Sequence, residues 1–234
     1  MASRRLAHGL LVGCALLAGC AGLGRGRSGQ SVTLTRTPCY GTCPDYTVTI
    51  HRDGAVDLSG GGAVVRRGTD RRRVSADAAR SVLALADSVR FHRLPASIDD
   101  HCPFSVTDQP GVRLAVRDGA REHQSREQGC GTLLFHVYSY GEVVVDGVAV
   151  PRDSFYASGP MRAWAVAHED RFVRDSYLLF QQRLGENGGR PHEDPAALLR
   201  ADSLARDYTD RLHTLAAAVD SATGADEWAS GRRR

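Results

Sequence analysis

The sequence predicts an α+β fold, an antiparallel β-sheet with two packed helices. Three observations indicate this class. Short runs near the start of the chain alternate apolar and polar residues, as strands with one buried face do. Residues 75–91 instead repeat their apolar side chains at the period of a helix. A second helical seam follows near the C-terminus, so strands and helices both contribute to the predicted core.

The predicted strands are joined by short turns. The stretch 45–54 alternates Tyr46, Val48 and Ile50 with polar residues and ends at an Asp-Gly pair, which is typical of a hairpin. A second Asp-Gly pair, at 118–119, lies at the centre of a later hairpin. Strand patterns occupy the following stretches: 31–36, 45–54, 55–62, 63–68 and both arms of 112–125.

The first predicted helix occupies residues 76–90. Ser75 precedes it as a capping residue, and Asp77 places a negative charge in the first turn, where the helix dipole favours one. The apolar side chains of this segment share one face, which we expect to pack on the sheet. They are Val82, Leu85, Ala86 and Val89.

The N-terminus has the features of an export signal. Arg4 and Arg5 precede an apolar run at 10–17, which is too short to span a bilayer. The run ends in LAGC at 17–20, which resembles the lipobox of bacterial lipoproteins. We therefore predict cleavage before Cys20 and lipidation of that residue, including palmitate.

This prediction defines the N-terminal organisation and the location of the protein. Residues 1–19 are the lipoprotein signal peptide, and residues 20–31 are a flexible tether rich in glycine and arginine. The protein is expected to face the periplasm from the membrane that holds its lipid, inner or outer. The alternatives are an ordinary signal peptide and a cut before Cys14, which leaves almost no apolar run.

Four cysteines remain after processing. An even number in an exported chain indicates disulfides, and four cysteines allow three pairings, between which sequence does not choose. The alternatives are a four-thiolate zinc site and a redox pair. We favour two staples, one closing a turn and one tying a long loop to the end of the later hairpin. The pairs are then Cys39 with Cys43 and Cys102 with Cys130.

The segment RTPCYGTCPDY at 36–46 resembles the opening motif of the bacterial domain-of-unknown-function 6438 family. Two later pieces occur in the order that this family shows, VTDQP at 106–110 and GCG at 129–131. The resemblance implies an exported domain of α+β fold with no established activity, and it also allows Cys130 to pair with one of the first two cysteines. The matched motif residues are Arg36, Thr37, Pro38, Gly41, Pro44, Tyr46, Asp108, Gly129 and Gly131.

The resemblance also implies an insertion. The family closes with one helix soon after its Gly-Cys-Gly, whereas the matching helix here is displaced to 207–228. We therefore predict a core domain formed by 32–131 and 203–228, interrupted by an insertion at 132–202.

The predicted insertion contains strands and a long helix. Strand-type runs at 132–155 surround another Asp-Gly turn and are expected to extend the sheet, and 159–189 has a helical stripe. A seam from Leu198 to Val219 favours an intramolecular helix hairpin. Alternatively, these inserted helices bind an envelope protein partner.

The function that these patterns favour is a non-catalytic binding or structural module on a lipid anchor. The alternative is an envelope enzyme, or a thiol or metal protein that uses the cysteine-bearing loops. No catalytic residue, metal site or cofactor is predicted, because the sequence lacks the hydrolase elbow, P-loop and zinc-protease motifs. The net charge of +3 is too small to indicate a nucleic-acid partner.

Overall fold

The computed structural model describes residues 29–231. The predicted signal peptide, Cys20 and most of the predicted tether lie outside the described residues. Within 29–231, none of the helices combines the length and the apolar character that crossing a bilayer requires.

The core is a six-stranded antiparallel sheet in the order β4-β3-β2-β1-β6-β7. Consecutive strands pair through hairpins, and the antiparallel pairing of β1 with β6 joins the four-stranded meander β1–β4 to the β6–β7 hairpin. The strands are β1 (Ser31–Arg36), β2 (Tyr46–His51), β3 (Ala55–Gly60), β4 (Gly68–Arg73), β6 (Val112–Asp118) and β7 (Arg121–Glu127). A short ladder beside it pairs β5 (Phe104–Ser105) with β8 (Cys130–Gly131).

Two helices cover one face of the sheet, which confirms the predicted α+β class. They are α1 (Ala76–Ser88) and α6 (Pro195–Thr223), and both contact β1. The alternation seen in the sequence places Val48 and Ile50 fully inside this layer. Burial of each such side chain stabilises the fold by about 1.5–3 kcal/mol. The opposite face is polar, with Thr33 and Thr49 hydroxyls 2.9 Å apart.

The first helix begins where the sequence predicts. The Ser75 hydroxyl accepts a hydrogen bond from the Ala78 N–H at 3.1 Å, which satisfies one of the unpaired donors of the first turn. The helix ends at Ser88 rather than at residue 90, because Arg90 adopts a left-handed conformation with φ of 52°. The chain then turns into two short 3₁₀ helices, Phe91–Arg93 and Asp99–His101.

The predicted strand at 63–68 is wrong. The fourth strand begins only at Gly68, and residues 61–67 form a loop. The Val65 N–H donates to the carbonyl of Ala229 at 2.7 Å, so this segment pairs with the C-terminal end of the chain instead of with the sheet. Val64 packs against the core from the same loop.

The segment 132–194 departs from the expected strands and single helix. Residues 133–137 are helical, and the following hairpin forms its own two-stranded sheet rather than extending the main one. His168 interrupts the predicted helix at 159–189. The elements are α2 (Leu133–Val137), β9 (Glu142–Val145), β10 (Val148–Pro151), α3 (Arg152–Ala157), α4 (Gly159–Ala167) and α5 (Glu169–Glu186).

This segment has a hydrophobic cluster of its own. Its members are buried between α2, the β9–β10 hairpin and α5, apart from the cluster that lies under the main sheet. The fully or nearly fully buried side chains are Leu133, Val137, Val143, Phe155, Phe172, Val173 and Tyr177.

Helix α6 belongs to both clusters. The Asp194 carboxylate accepts from the Ala197 N–H at 2.8 Å and starts the helix, and Gly224, with φ of 63°, ends it. Leu198 packs on the inserted segment, whereas Leu215 is buried in the main core. The helix is therefore continuous through the predicted boundary at 202–203, and that domain division stays a prediction.

The closing helix predicted at 207–228 is divided at Gly224, after which a short helix, α7 (Ala225–Ser230), follows. It brings Trp228 into the main core, where the side chain is almost fully buried. A Cβ atom at Gly60 would collide with the Arg66 carbonyl oxygen and lie 2.9 Å from the Trp228 ring, so the end of β3 needs glycine.

Candidate functional site at the stapled end of the sheet

The cysteine-bearing motif forms an exposed loop at one end of the sheet. Cys39 and Cys43 form a disulfide with their Cα atoms 5.5 Å apart, and we call residues Cys39–Cys43 the stapled loop. Gly41 has φ of 132°, a conformation that side chains disfavour. Tyr40 is 90% exposed at the tip. The loop therefore holds an aromatic ring in solvent on a covalently closed turn.

The stapled loop is attached to the sheet on one side by Thr37. Its N–H donates to the carbonyl of Gly111 at 3.0 Å, and its hydroxyl accepts from the Gly111 N–H at 2.9 Å. These bonds continue the pairing of β1 with β6 beyond the last ladder position. Thr37 of the motif is therefore a structural anchor for the loop.

The other side of the loop is attached through Asp45, which follows Pro44. Its carbonyl accepts from the Gly61 N–H at 2.8 Å, and its carboxylate accepts from the Gly62 N–H at 3.2 Å. A cleft of about 730 Å³ lies between Pro44, the 61–67 loop and α7. Val65, which borders this cleft, is 67% exposed.

Arg36 and Tyr46 of the motif meet on a residue that sequence reasoning missed, Asp220 in α6. The Arg36 guanidinium donates to one carboxylate oxygen at 2.8 Å, and the Tyr46 hydroxyl donates to the other at 2.7 Å. Burial and then the negative charge of Asp220 raise the pKa of Tyr46 above its ordinary value. The phenol therefore stays protonated as a donor, and the motif is tied to the closing helix.

The Gly-Cys-Gly segment lies against Val106. The Val106 N–H donates to the carbonyl of Gly129 at 2.8 Å, and a Cβ atom at Gly129 would collide with the Val106 carbonyl oxygen. A Cβ at Gly131 would likewise crowd the Val106 side chain at 2.9 Å. Gly129 is therefore required by the close approach of two backbones and Gly131 by the packing of the Val106 side chain, and Cys130 between them reaches Cys102.

A second residue that sequence reasoning missed, Glu127, organises this segment. One carboxylate oxygen accepts from the N–H groups of Gly129 and Cys130, each at 2.9 Å. The other lies 3.2 Å from His213 of α6. Burial pushes the pKa of Glu127 upward, but the hydrogen bonds from His213 and the two backbone groups outweigh it, so this pKa lies below its ordinary value.

Asp108 takes no part in the contacts described for Asp220 and Glu127. It is exposed in the loop between Val106 and Gly111, and its φ of 64° makes it one of the few residues other than glycine in the left-handed region. Aspartate tolerates this conformation better than most residues. Asp108 therefore suits this motif position because the turn requires a left-handed backbone conformation there.

The cysteines pair as favoured from the sequence. Cys102 and Cys130 form the second disulfide, with Cα atoms 5.3 Å apart, so the four sulfurs are bonded two and two. The four-thiolate zinc alternative and the pairing of Cys130 with the stapled loop are therefore wrong. The redox alternative for Cys39 and Cys43 stays a hypothesis, because a disulfide is also the oxidised form of a redox pair. Within residues 29–231, no group of three or more His, Cys, Asp or Glu side chains is placed to hold a metal ion.

Each motif residue with a described partner either closes a turn or joins two segments of the fold. The large hydrophobic side chains exposed at this end are Tyr40 and Val65, and the polar side chains of Thr42, Arg66 and Arg67 are exposed beside them. The sequence contained no signal for Asp220, because its partners Arg36 and Tyr46 are distant along the chain, and none for the contact of Glu127 with His213, which is 86 positions away.

Residues 30–140 of the chain match the model of a family described as Domain of unknown function (DUF6438). The match covers all six strands of the main sheet, α1 and the Gly-Cys-Gly segment. A search of curated proteins found no match to this chain.

Proposed function

We propose that this chain, whose residues 30–140 belong to the Domain of unknown function (DUF6438) family, is a lipid-anchored protein of the cell envelope that presents its stapled loop to a binding partner. In this role it is a non-catalytic binding module, and its lipid is on Cys20. The observation that carries the proposal is the exposure of Tyr40 on a loop that is closed by a disulfide.

The direction of β1 supports this proposal. The predicted tether leads into the strand at Ser31, and the stapled loop follows its other end at Arg36. Six strand residues span roughly 20 Å at 3.3 Å each. With the lipid on Cys20, the tether end of the sheet lies nearer the membrane and the stapled loop points away from it.

The chemistry of the stapled end also supports binding. Exposed aromatic side chains are enriched in the energetically dominant parts of protein interfaces. The disulfide, Thr37 and Asp45 hold the loop in place before a partner arrives, which lowers the entropy lost on binding. Tyr40 supplies an exposed aromatic ring on the loop, and Val65 supplies apolar area in the cleft that Pro44 and Thr42 also line.

The inserted helices are the competing location for an envelope protein partner. Val166 on α4 is 76% exposed, and Leu178 on α5 is also exposed. The C-terminal part of the predicted seam is already buried against the main core through Leu212, Leu215 and Val219. The stapled end is favoured, because its exposed aromatic ring is covalently pre-organised.

Photo-crosslinking distinguishes these surfaces. A benzophenone amino acid replaces Tyr40 or, in separate cells, Val166, and Tyr156 serves as an exposed aromatic control position. We expect one discrete adduct from position 40 that is lost when Cys39 and Cys43 are both changed to alanine. An adduct from position 166 alone would assign the partner to the inserted helices and contradict the stapled-loop proposal.

Fractionation tests the anchor. Cys20→Ser removes the acylated thiol, so we expect the protein to be released from membranes or to stay unprocessed. The matched control variant, Cys14→Ser, should stay in the membrane fraction as the wild-type protein does. Mature Cys20→Ser protein that remains bound after a high-salt wash would contradict lipid anchoring.

A further inference from the structure

A groove in the inserted segment lies away from the stapled end. It has a volume of about 480 Å³ and is open to solvent between α2, α5 and the start of α6. This volume is in the range of small-molecule sites. None of the described residues that line it belongs to the cysteine motif, so its occupant is independent of the partner proposed for the stapled loop.

The floor of the groove is aromatic. The Tyr140 and Phe180 rings stack with centroids 4.1 Å apart and planes 3° from parallel. Phe104, from β5, lines the groove beside them. Aromatic faces held in fixed geometry favour a planar apolar body, because stacking adds to the free energy of area burial.

The rim of the groove carries one cationic side chain, Arg190. Arg190 and His192 line it on one side, and none of the lining side chains that the structure describes is a carboxylate. Arg190 has no ion-pair partner among the described residues, whereas His192 accepts a hydrogen bond from the Asp194 N–H at 3.2 Å. A guanidinium without a carboxylate beside a cavity favours an anionic group, which it can bind by two parallel hydrogen bonds.

A buried polar group is the second and independent indication of a ligand. The Tyr177 side chain lines the groove and is 1% exposed, yet its hydroxyl has no hydrogen-bond partner among residues 29–231. Buried hydroxyl groups are nearly always paired, because an unpaired one loses its bonds to water without replacement. A phenylalanine would fill this position without that cost.

We propose that this groove binds a small amphipathic anion, a planar aromatic body carrying a carboxylate or a similar group. The aromatic body lies on the Tyr140 and Phe180 rings, and the anionic group meets Arg190. The occupant is a small molecule rather than a protein segment, because the groove combines a limited volume with one cationic edge.

The test uses three isosteric probes and the full-length chain. They are 2-naphthoate, neutral 2-naphthamide and 2-naphthylmethylammonium, and binding is measured by equilibrium dialysis and calorimetry. We expect saturable, one-to-one binding of the anion with a Kd of roughly 1 mM or below, which corresponds to an ordinary ligand efficiency for this size. The amide should bind more weakly and the cation most weakly. Equal binding of all three, or none, would overturn the proposal.

Two variants locate the site. Arg190→Gln should weaken 2-naphthoate about tenfold or more and leave 2-naphthamide within about twofold, because only the charged bond is lost. Arg174→Gln, an exposed arginine of α5 outside the groove, is the matched control and should change neither probe. Leu184→Trp should fill the groove and weaken both probes. Unchanged naphthoate affinity in Arg190→Gln would contradict the assignment.

Tyr177→Phe adds a readout that does not depend on the probe. Because the hydroxyl has no described partner, we expect the melting temperature to stay at the wild-type value or rise. A marked drop in melting temperature would show that the hydroxyl is satisfied inside the fold, and the independent indication of a ligand would then fail.

Discussion

Asp220 in α6 accepts a 2.8 Å hydrogen bond from the guanidinium of Arg36, 184 positions earlier in the chain. Arg36 lies in the segment that matches the family, whereas Asp220 lies beyond residue 140, where the match ends. Tyr46 donates to the same carboxylate. The motif is therefore completed by α6, and the elements from α2 to α5 lie between the two in sequence.

The first prediction concerns this carboxylate. Asp220→Ala leaves Arg36 half-buried without its counter-charge and Tyr46 without its acceptor, so we expect a loss of about 3–5 kcal/mol in the free energy of unfolding. Urea denaturation measures it. Asp207→Ala, which removes an exposed partner of Arg211 on the same helix, should cost at most about 1 kcal/mol. Equal losses in the two variants would contradict a special role for Asp220.

The second prediction concerns acid stability. The pKa of Glu127 is lower in the folded protein than in the unfolded chain, so its contribution is fully present above the unfolded value of about 4.3 and is lost as pH falls through the folded value. Glu127→Gln should therefore be less stable than wild type at pH 7, and the difference should shrink between pH 5 and pH 3. Urea titrations across this range test it. A difference that stays constant would show that hydrogen bonding alone, without the charge, stabilises the Gly-Cys-Gly segment.

The third prediction concerns the disulfides. In unreduced protein, the thiols of Cys39, Cys43, Cys102 and Cys130 should resist alkylation until a reductant is added, as measured by mass. The pairs span 4 and 28 positions. Loop-closure entropy then predicts about 2 kcal/mol for the first pair and about 3.5 kcal/mol for the second.

Two double variants separate these contributions. Cys39→Ala with Cys43→Ala should lower stability less than Cys102→Ala with Cys130→Ala, as read from melting temperatures. Recovery of four alkylated thiols from unreduced protein would overturn both staples.

The fourth prediction concerns the insertion. The Leu133 N–H donates to the Asp202 carboxylate, so the two ends of the inserted segment are neighbours. A short Gly/Ser linker in place of 132–200 should therefore leave a core that unfolds cooperatively, because loop length affects stability only weakly. Circular dichroism and thermal melting test it.

The complementary deletion supplies the contrast. Removing residues 203–228 uncovers the sheet where Leu212, Leu215 and Val219 are fully buried. We expect this variant to lose its cooperative transition. If it folds cooperatively and the linker variant does not, the predicted boundary is wrong.

The sequence by itself predicted the elements that local chemistry dictates. Alternation at Tyr46, Val48 and Ile50 defined a strand with one buried face, and Ser75 defined the start of a helix. These signals depend on neighbouring residues, so they survive in any tertiary context that buries one face. The α+β class follows from their order.

The apolar runs without a clear period were misjudged. Residues 133–137 and 63–68 are short and rich in apolar residues, a pattern that fits a strand or a buried helical turn equally well. The structure decided between them through contacts that are remote in sequence, such as Val65 with Ala229 and Leu133 with Asp202.

Only the tertiary structure decided how the motif works. The motif identified Arg36, Tyr46 and the glycines around Cys130. No sequence pattern predicted their contacts with Asp220, Glu127 or the backbone of Val106. The pairing of four cysteines was open for the same reason, since three connectivities satisfy the same spacing. Secondary structure depends on contacts between residues that are close in sequence. The hydrogen bonds of a buried carboxylate form only when folding brings distant segments within about 3 Å of each other.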